Sequence, residues 1–300
     1  MRYVPRVEAK VVTVVPGTIG TGSWREAVEA APPGWLILHA AWARVEPERG
    51  RYDDGELERG RAALIAARKR GVEPVVCAHA GALPDWQIAR EGWVDPDVAA
   101  GWGCYIDRLA HAYGELVRVW VSMWEPLAEA AWYDEERALV ARTLLDALAT
   151  AYLHLKRAPG TAGKPPWIAV VERFASWQEG EGQRLPAALR VRSRLDAALR
   201  GRLGPEALVA VLATGRLQPP FGTMGELPNG TPAVDVIGVR WEGGRRVTDG
   251  ERSGGDDPDA LQATLDRVWK HARPLLLVGG PAGAAEQAWE RGVRVMAQVS

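Results

Sequence analysis

Residues 54–78 read DGELERGRAALIAARKRGVEPVVCA. The first seventeen place Leu57, Ala63, Leu64 and Ala67 on one side and Arg and Glu opposite, the period of an amphipathic helix. Gly71 stands where a helix closes on a left-handed residue. The next residues, Pro74-Val75-Val76-Cys77-Ala78, form a short apolar run, as a strand covered on both faces requires. One helix followed directly by one buried strand is half of a parallel β/α repeat.

The unit recurs in both directions. Apolar runs rich in Val, Ile and Leu fall at 11–15, 35–40, 74–78, 117–123, 167–172, 234–240, 274–278 and 293–299. Amphipathic stretches separate them, at 135–156, 185–200, 260–273 and 284–291 among others. Asp95-Pro96-Asp97 and Asp257-Pro258-Asp259 each read as an N-cap with proline in the first turn. Eight strands alternating with helices predict an α/β fold, a (β/α)8 TIM barrel in one compact domain over residues 1–300, with the last strand at the chain's end. An open doubly wound sheet is the other arrangement this alternation allows.

Composition narrows the function. Hydrophobic residues make up 47% and charged residues 25% of 300, a soluble globular balance with enough chain for one large core. A formal net charge of -1 leaves no basic field for nucleic acid or anionic lipid, and neither is expected as a partner. No apolar window reaches a membrane span and residues 1–6 do not read as a signal peptide, so the default compartment is the cytoplasm. Cys77 reads as a buried hydrophobe and Cys104 as a helix residue. No Cys/His spacing suggests a metal, and no glycine-rich phosphate motif implies a cofactor. The 14 tryptophans stand against only 2 phenylalanines. They either fill core space or, for some, pack an indole face on the C–H face of a sugar ring.

In a barrel, chemistry gathers where strands end. The predicted ends carry His39 and Trp42, then His79, then Trp124-Glu125-Pro126, Glu172-Arg173, Arg240-Trp241-Glu242, Gly279-Gly280 and Gln298. Glu125, beside an indole at the end of an apolar strand, is the first candidate for proton transfer, since partial desolvation suits a carboxyl to that work. It also reads as an ion-paired glutamate at a loop start. Glu172 and Glu242 are the candidate second carboxylates, or else rim residues. His39, His79, Trp124, Arg240, Trp241 and Gln298 are candidate ligand contacts. Each histidine alternatively reads as a core imidazole.

Several segments resemble the family 1 glycoside hydrolases. Trp42-Ala43-Arg44-Val45-Glu46-Pro47, Gly50-Arg51-Tyr52 and Gly55 resemble W-x-R-I-x-P-x-G-x-G; Gly71-Val72-Glu73-Pro74-Val75-Val76 resembles G-I-E-P-V-V-T. Leu83-Pro84-Asp85-Trp86 and Gly92-Trp93 resemble L-P-x-W and G-G-W. Trp120-Val121-Ser122-Met123-Trp124-Glu125-Pro126 resembles W-I-T-L-N-E-P, and Asp235-Val236-Ile237-Gly238-Val239 resembles D-F-I-G-I. The resemblance is dense over 35–126 and thin beyond.

The resemblance implies a β-glucosidase-like barrel with Glu125 as general acid/base and a small-molecule ligand, a glycoside in the first instance. It also marks departures. The family's nucleophile glutamate after strand seven corresponds to Gly279. Its histidine and tryptophan after strand three correspond to Ala80 and Gly81, the asparagine before the acid/base to Trp124, the arginine on strand two to Ile37 and the tyrosine after strand six to Trp241. The chain's last residues fall before the family's sugar-binding segment W-S-x-x-D-N-x-E-W. Glycine cannot form a glycosyl ester, so ordinary retaining chemistry is not expected. Three readings follow: a carbohydrate-active enzyme, a barrel repurposed for cyclisation, elimination or isomerisation of a non-sugar substrate, and a non-catalytic binding protein. The residues set no oligomeric state.

Overall fold

A computed structural model describes residues 13–18, 23–31, 34–133, 135–179, 204–217, 221, 225–247, 252–255, 257–279, 284, 287–288, 291 and 295–299. In chain order the elements are β1 (Thr13–Thr18), α1 (Ser23–Ala30), β2 (Gly34–His39), α2 (Trp42–Val45), α3 (Asp54–Lys69), β3 (Val72–Cys77), α4 (Asp85–Ile88), α5 (Val98–Tyr113), β4 (Val119–Trp124), α6 (Pro126–Ala130) and α7 (Arg137–Arg157). They continue with β5 (Trp167–Glu179), α8 (Pro205–Thr214), β6 (Val236–Val247), β7 (Arg252–Gly255), α9 (Pro258–Trp269), β8 (Leu275–Val278) and β9 (Val295–Val299).

The sheet runs β1-β2-β3-β4-β5-β6-β8-β9, every neighbouring pair parallel. All eight predicted runs are strands. Among the described residues no pairing joins β9 back to β1, so the fold stands as a sequentially wound parallel α/β sheet. The predicted helices at 185–200 and, for most of its length, 284–291 lie outside the described residues.

The two faces of the strands sort by alternation. Leu36 and Leu38, Val76, Trp120, Ile168 and Val170, Ile237 and Val239, and Leu275 and Leu277 belong to one buried cluster with the helices. Ile37, Val75, Cys77, Val119, Val121, Ala169, Val171, Val236, Leu276 and Val278 form a second cluster on the opposite face. Trp35, Trp124 and Trp167 pack against it half-buried. A sheet buried on both faces explains why its strands read as continuous apolar runs. The apolar side of α7, carrying Leu144, Leu145 and Leu148, is likewise buried in the helix-side cluster.

Local chemistry places the helices. Asp53 caps α3 by accepting from Glu56 N, and Asp257 caps α9 by accepting from Ala260 N. Gly71 takes φ +76 between α3 and β3, as its position predicts. Asp95 stands just ahead of α5, which begins at Val98. Its Oδ1 accepts from Asp97 N at 3.0 Å, the contact expected of a cap before Pro96, while its Oδ2 pairs with Arg90 at 2.7 Å and accepts from Gln87. β5 and β6 also run past their apolar runs to Glu179 and Val247 as a polar ribbon, on which the unpredicted β7 pairs antiparallel. Backbone pairing with β7 runs along that ribbon, and hydrophobic patterning did not mark it.

The segment after β2 is a structural knot. Trp42 Nε1 donates to Glu46 Oε2 at 2.7 Å, and Gly50 N donates to Glu46 Oε1 at 2.7 Å. Arg44 grips Glu56 through two bonds of 2.8 and 2.9 Å. Trp42 stacks on Tyr105 and meets Trp86, Trp93 and Trp102. Tyr105 is wholly buried, and its hydroxyl lies 3.0 Å from Ala40 O and 2.9 Å from Ala78 O, at the ends of β2 and β3. Replacing Tyr105 with Phe should cost about 1–3 kcal/mol, since the buried carbonyls lose their donor. The shift in urea midpoint measures it; an unchanged midpoint would show that the hydroxyl bridges nothing that matters.

Candidate active site

Glu125 follows β4 and precedes α6, with φ +53 and ψ +56. Its N–H donates to Val171 O on β5 at 2.7 Å, and Pro126 at the first helical position forbids return to a strand. A left-handed glutamate costs about 1–3 kcal/mol and persists only where its surroundings hold it. The turn lifts the carboxylate off the strand line toward β5 and β6. There it pairs with Arg240 Nη1, accepts from Trp124 Nε1 at 3.1 Å, and faces Arg173 Nε at 3.5 Å. Its side chain is 12% exposed.

Glu242 completes a quartet. Its Oε1 lies 3.4 Å from Arg173 Nη1 and 3.5 Å from Arg240 Nη1. Two carboxylates and two guanidiniums, from just after β4 and from the middle of β5 and β6, thus share one cluster with formally balanced charge. Arg240 and Glu242 lie in alternation with Val236, whose cluster occupies the face away from the helices, and Arg173 alternates likewise with Ala169 and Val171.

The other predicted site residues separate. Trp241 packs in the helix-side cluster with Phe174, its Nε1 buried without a partner among the described residues. It does not wall a pocket with Trp124, because strand alternation turns it from Arg240 and Glu242. Trp42, Trp93, Trp102 and Trp120 are fully buried and fill core space. Glu172 is 3% exposed and outside the quartet. Its Oε2 accepts from Leu127 N at 3.0 Å and its Oε1 from Arg173 N at 2.8 Å. Burial pushes its pKa up to about 7, although both N–H donors and Arg173 oppose that, while the nearby Glu125 adds to it. Gln298 lies on β9, paired with Leu277, and its side chain is outside the described residues.

A second polar group lies beside the quartet. His79, after β3, is 2% exposed and edge-on to Trp93 and Trp102. Its Nε2 has no hydrogen-bond partner among the described residues and faces Glu129 Oε2 at 3.6 Å. Trp93 Nε1 donates to Glu129 Oε1 at 2.9 Å. Burial works to raise the Glu129 carboxyl, but His79 and the indole N–H outweigh it and hold it below the usual glutamate range. His39 is half-buried at the end of β2; burial, then the nearby His79, lowers its pKa to about 4. Among the described residues no group of three His, Cys, Asp or Glu side chains is arranged to hold a metal.

Arg173 was named at its strand end without a role and Glu129 was not singled out, though each left a signal. Arg173 alternates with Ala169 and Val171, so it, rather than Glu172, shares the face of Arg240 and Glu242. Glu129 stands four residues after Glu125, one helical turn along α6. Gly279 has φ +75 and a Cβ there would lie 3.3 Å from Trp241 O, so this position is shaped for glycine.

The chain is similar in fold to several solved structures, β-glycosidases among them. A β-glycosidase from Pyrococcus horikoshii superposes with a TM-score of 0.74 at 19% identity, over 93% of this chain and 74% of that one. A family 1 β-glucosidase from Thermotoga maritima gives 0.73 at 16%, over 93% and 76%. The AHE enzyme from Alicyclobacillus herbarius gives 0.74 at 16%, over the same shares. No family model and no curated protein sequence matches the chain. At these identities the likeness establishes the fold: an α/β parallel sheet curled like that of the glycosidase barrels.

The buried titratable groups predict opposite pH slopes. Folded Glu172 keeps its proton to about pH 7, while the unfolded chain releases it near 4.5. Its contribution to stability is therefore full below pH 4.5 and lost as pH rises through 7, on the order of 3 kcal/mol. His39 runs the other way, its contribution full above 6.5 and lost as pH falls through about 4. Urea unfolding from pH 4 to 8 should give differences, wild type minus Glu172→Gln and wild type minus His39→Asn, of opposite slope. A slope of the wrong sign in either difference would refute that residue's assignment.

Proposed function

We propose that residues 1–300 form one (β/α)8 barrel of glycosidase descent, its sheet closed by β9 against β1. Glu125 acts as general acid/base on a small-molecule ligand, a glycoside in the first instance. The observation that carries this reading is the Glu125–Arg240–Arg173–Glu242 quartet, assembled where β4 ends against β5 and β6 in a fold shared with family 1 β-glycosidases. The C-terminal side of the parallel strands is where such folds build their sites.

The family's double displacement needs a second carboxyl as nucleophile about 5 Å from the first. With glycine at 279, Glu242 is the carboxylate nearest in the cluster to take a base's role, toward water in a single displacement. Proton donation by Glu125 also requires a ligand that loosens Arg240 or Arg173, because the guanidiniums and the Trp124 indole occupy its oxygens. That same pairing favours a second reading, a repurposed or purely binding barrel in which Glu125 is an ion-paired contact.

Aryl glycosides of several sugars, offered to wild type and Glu125→Gln, separate the two. Under the first reading release occurs and falls by about 100-fold or more in the variant, the size of a general-acid contribution. Silence on every glycoside overturns it in favour of the second. Placing glutamate back, as Gly279→Glu, should lower stability by about 1–2 kcal/mol through the left-handed backbone it must adopt. Thermal unfolding reads that cost, and an undiminished Tm would mean the backbone there is free to rearrange.

A further inference from the structure

We infer that Glu172 is the positioning residue of this site, a buried carboxyl that locks Glu125 in its left-handed turn and sets Arg173 against it. The inference rests on the reading of Glu125 as the acid/base and assigns Glu172 a task other than that of a second catalytic carboxylate.

Three contacts carry it. Glu172 Oε2 accepts from Leu127 N, the second residue of the short helix that Glu125 opens. Its Oε1 accepts from Arg173 N, the backbone from which the guanidinium reaches Glu125 and Glu242. Glu125 N meanwhile donates to Val171 O, the residue before Glu172. The turn around Glu125 is thereby tied to β5 on both sides of its strained residue, by one backbone bond and one carboxyl bond. A five-residue helix has little stability of its own, so these ties rather than helix propensity fix where Glu125 points. Both of its oxygens accept from backbone N–H groups and the side chain is 3% exposed, so the contacts of Glu172 are with scaffold rather than with solvent.

Its ionisation bears on the site as well. Among the described residues the charged groups that face it are Glu125, just after β4, and Arg173, on its own strand; Arg240 and Glu242 of β6 act at one remove through their ion pairs. Loss of its proton near pH 7 puts a second negative charge behind Glu125.

The test uses Glu172→Leu, which removes both acceptors, and Glu172→Gln, which keeps one and cannot ionise. If wild type releases an aryl glycoside, Glu172→Leu should lower kcat about 100-fold with KM little changed, the cost of a misplaced group. Glu172→Gln should recover part of that loss, and the wild-type limb near pH 7 should vanish from its profile. A variant profile that keeps that limb, or a kcat equal to wild type in Glu172→Leu, overturns the inference. If wild type is silent on every glycoside, the catalytic reading has failed and crystal structures of both variants decide the positioning alone. Glu125 leaving the left-handed region with its Arg240 pair broken supports it; unchanged geometry overturns it. Should Glu172→Leu not fold, the same readings on Glu172→Gln decide.

Discussion

A single backbone bond, from Glu125 N to Val171 O at 2.7 Å, marks where the sheet stops being scaffold and becomes site. Up to Val121, β4 pairs with β5 in regular register; between Val121 and Trp124 the register shifts, and Glu125 turns left-handed. Without that irregularity the alternation of a strand would fix the carboxylate on one face or the other. With it, the side chain swings toward the next two strands and meets their arginines.

The rest of the fold supplies the rigidity that this turn borrows. Tyr105 joins the ends of β2 and β3, the Trp42 knot fills the space behind them, and the helix-side cluster clamps β4 through Trp120 and Met123. Many small, apolar and directional contacts thus hold a backbone conformation that is locally unfavourable. The charged quartet adds less than its geometry suggests, because Arg173 and Arg240 are about two-fifths exposed and solvent screens their pairs. Its value lies in aiming charge at one place.

How much of this was legible differs by scale. The strands were, since burial on both faces writes itself as apolar runs, and so were caps such as Asp257 and the turn at Gly71. The polar ribbon of β5–β7 was not, because backbone hydrogen bonds leave no hydrophobic pattern. Glu125 was legible by position and resemblance. Its partners were only half so: Arg240 was singled out, whereas Arg173 was passed over for its neighbour Glu172. Reading alternation one residue further along β5 would have reversed that choice. The segments that most resemble the glycoside hydrolases are chiefly scaffold here. Trp42, Arg44, Glu46, Trp86 and Trp93 hold one another, and none of them belongs to the Glu125 quartet.

That division follows from where each residue's contacts lie. Ile37 is part of the apolar cluster on the face away from the helices, Trp124 packs against that cluster while donating to Glu125, and Gly279 takes a backbone conformation suited to glycine. Apolar groups beside a charge desolvate it and leave its ion pairs and hydrogen bonds to satisfy it. The turn at Glu125 takes its geometry from buried scaffold, through its bond to Val171 O and the bond from Leu127 N to Glu172, rather than from the partly exposed guanidiniums it meets.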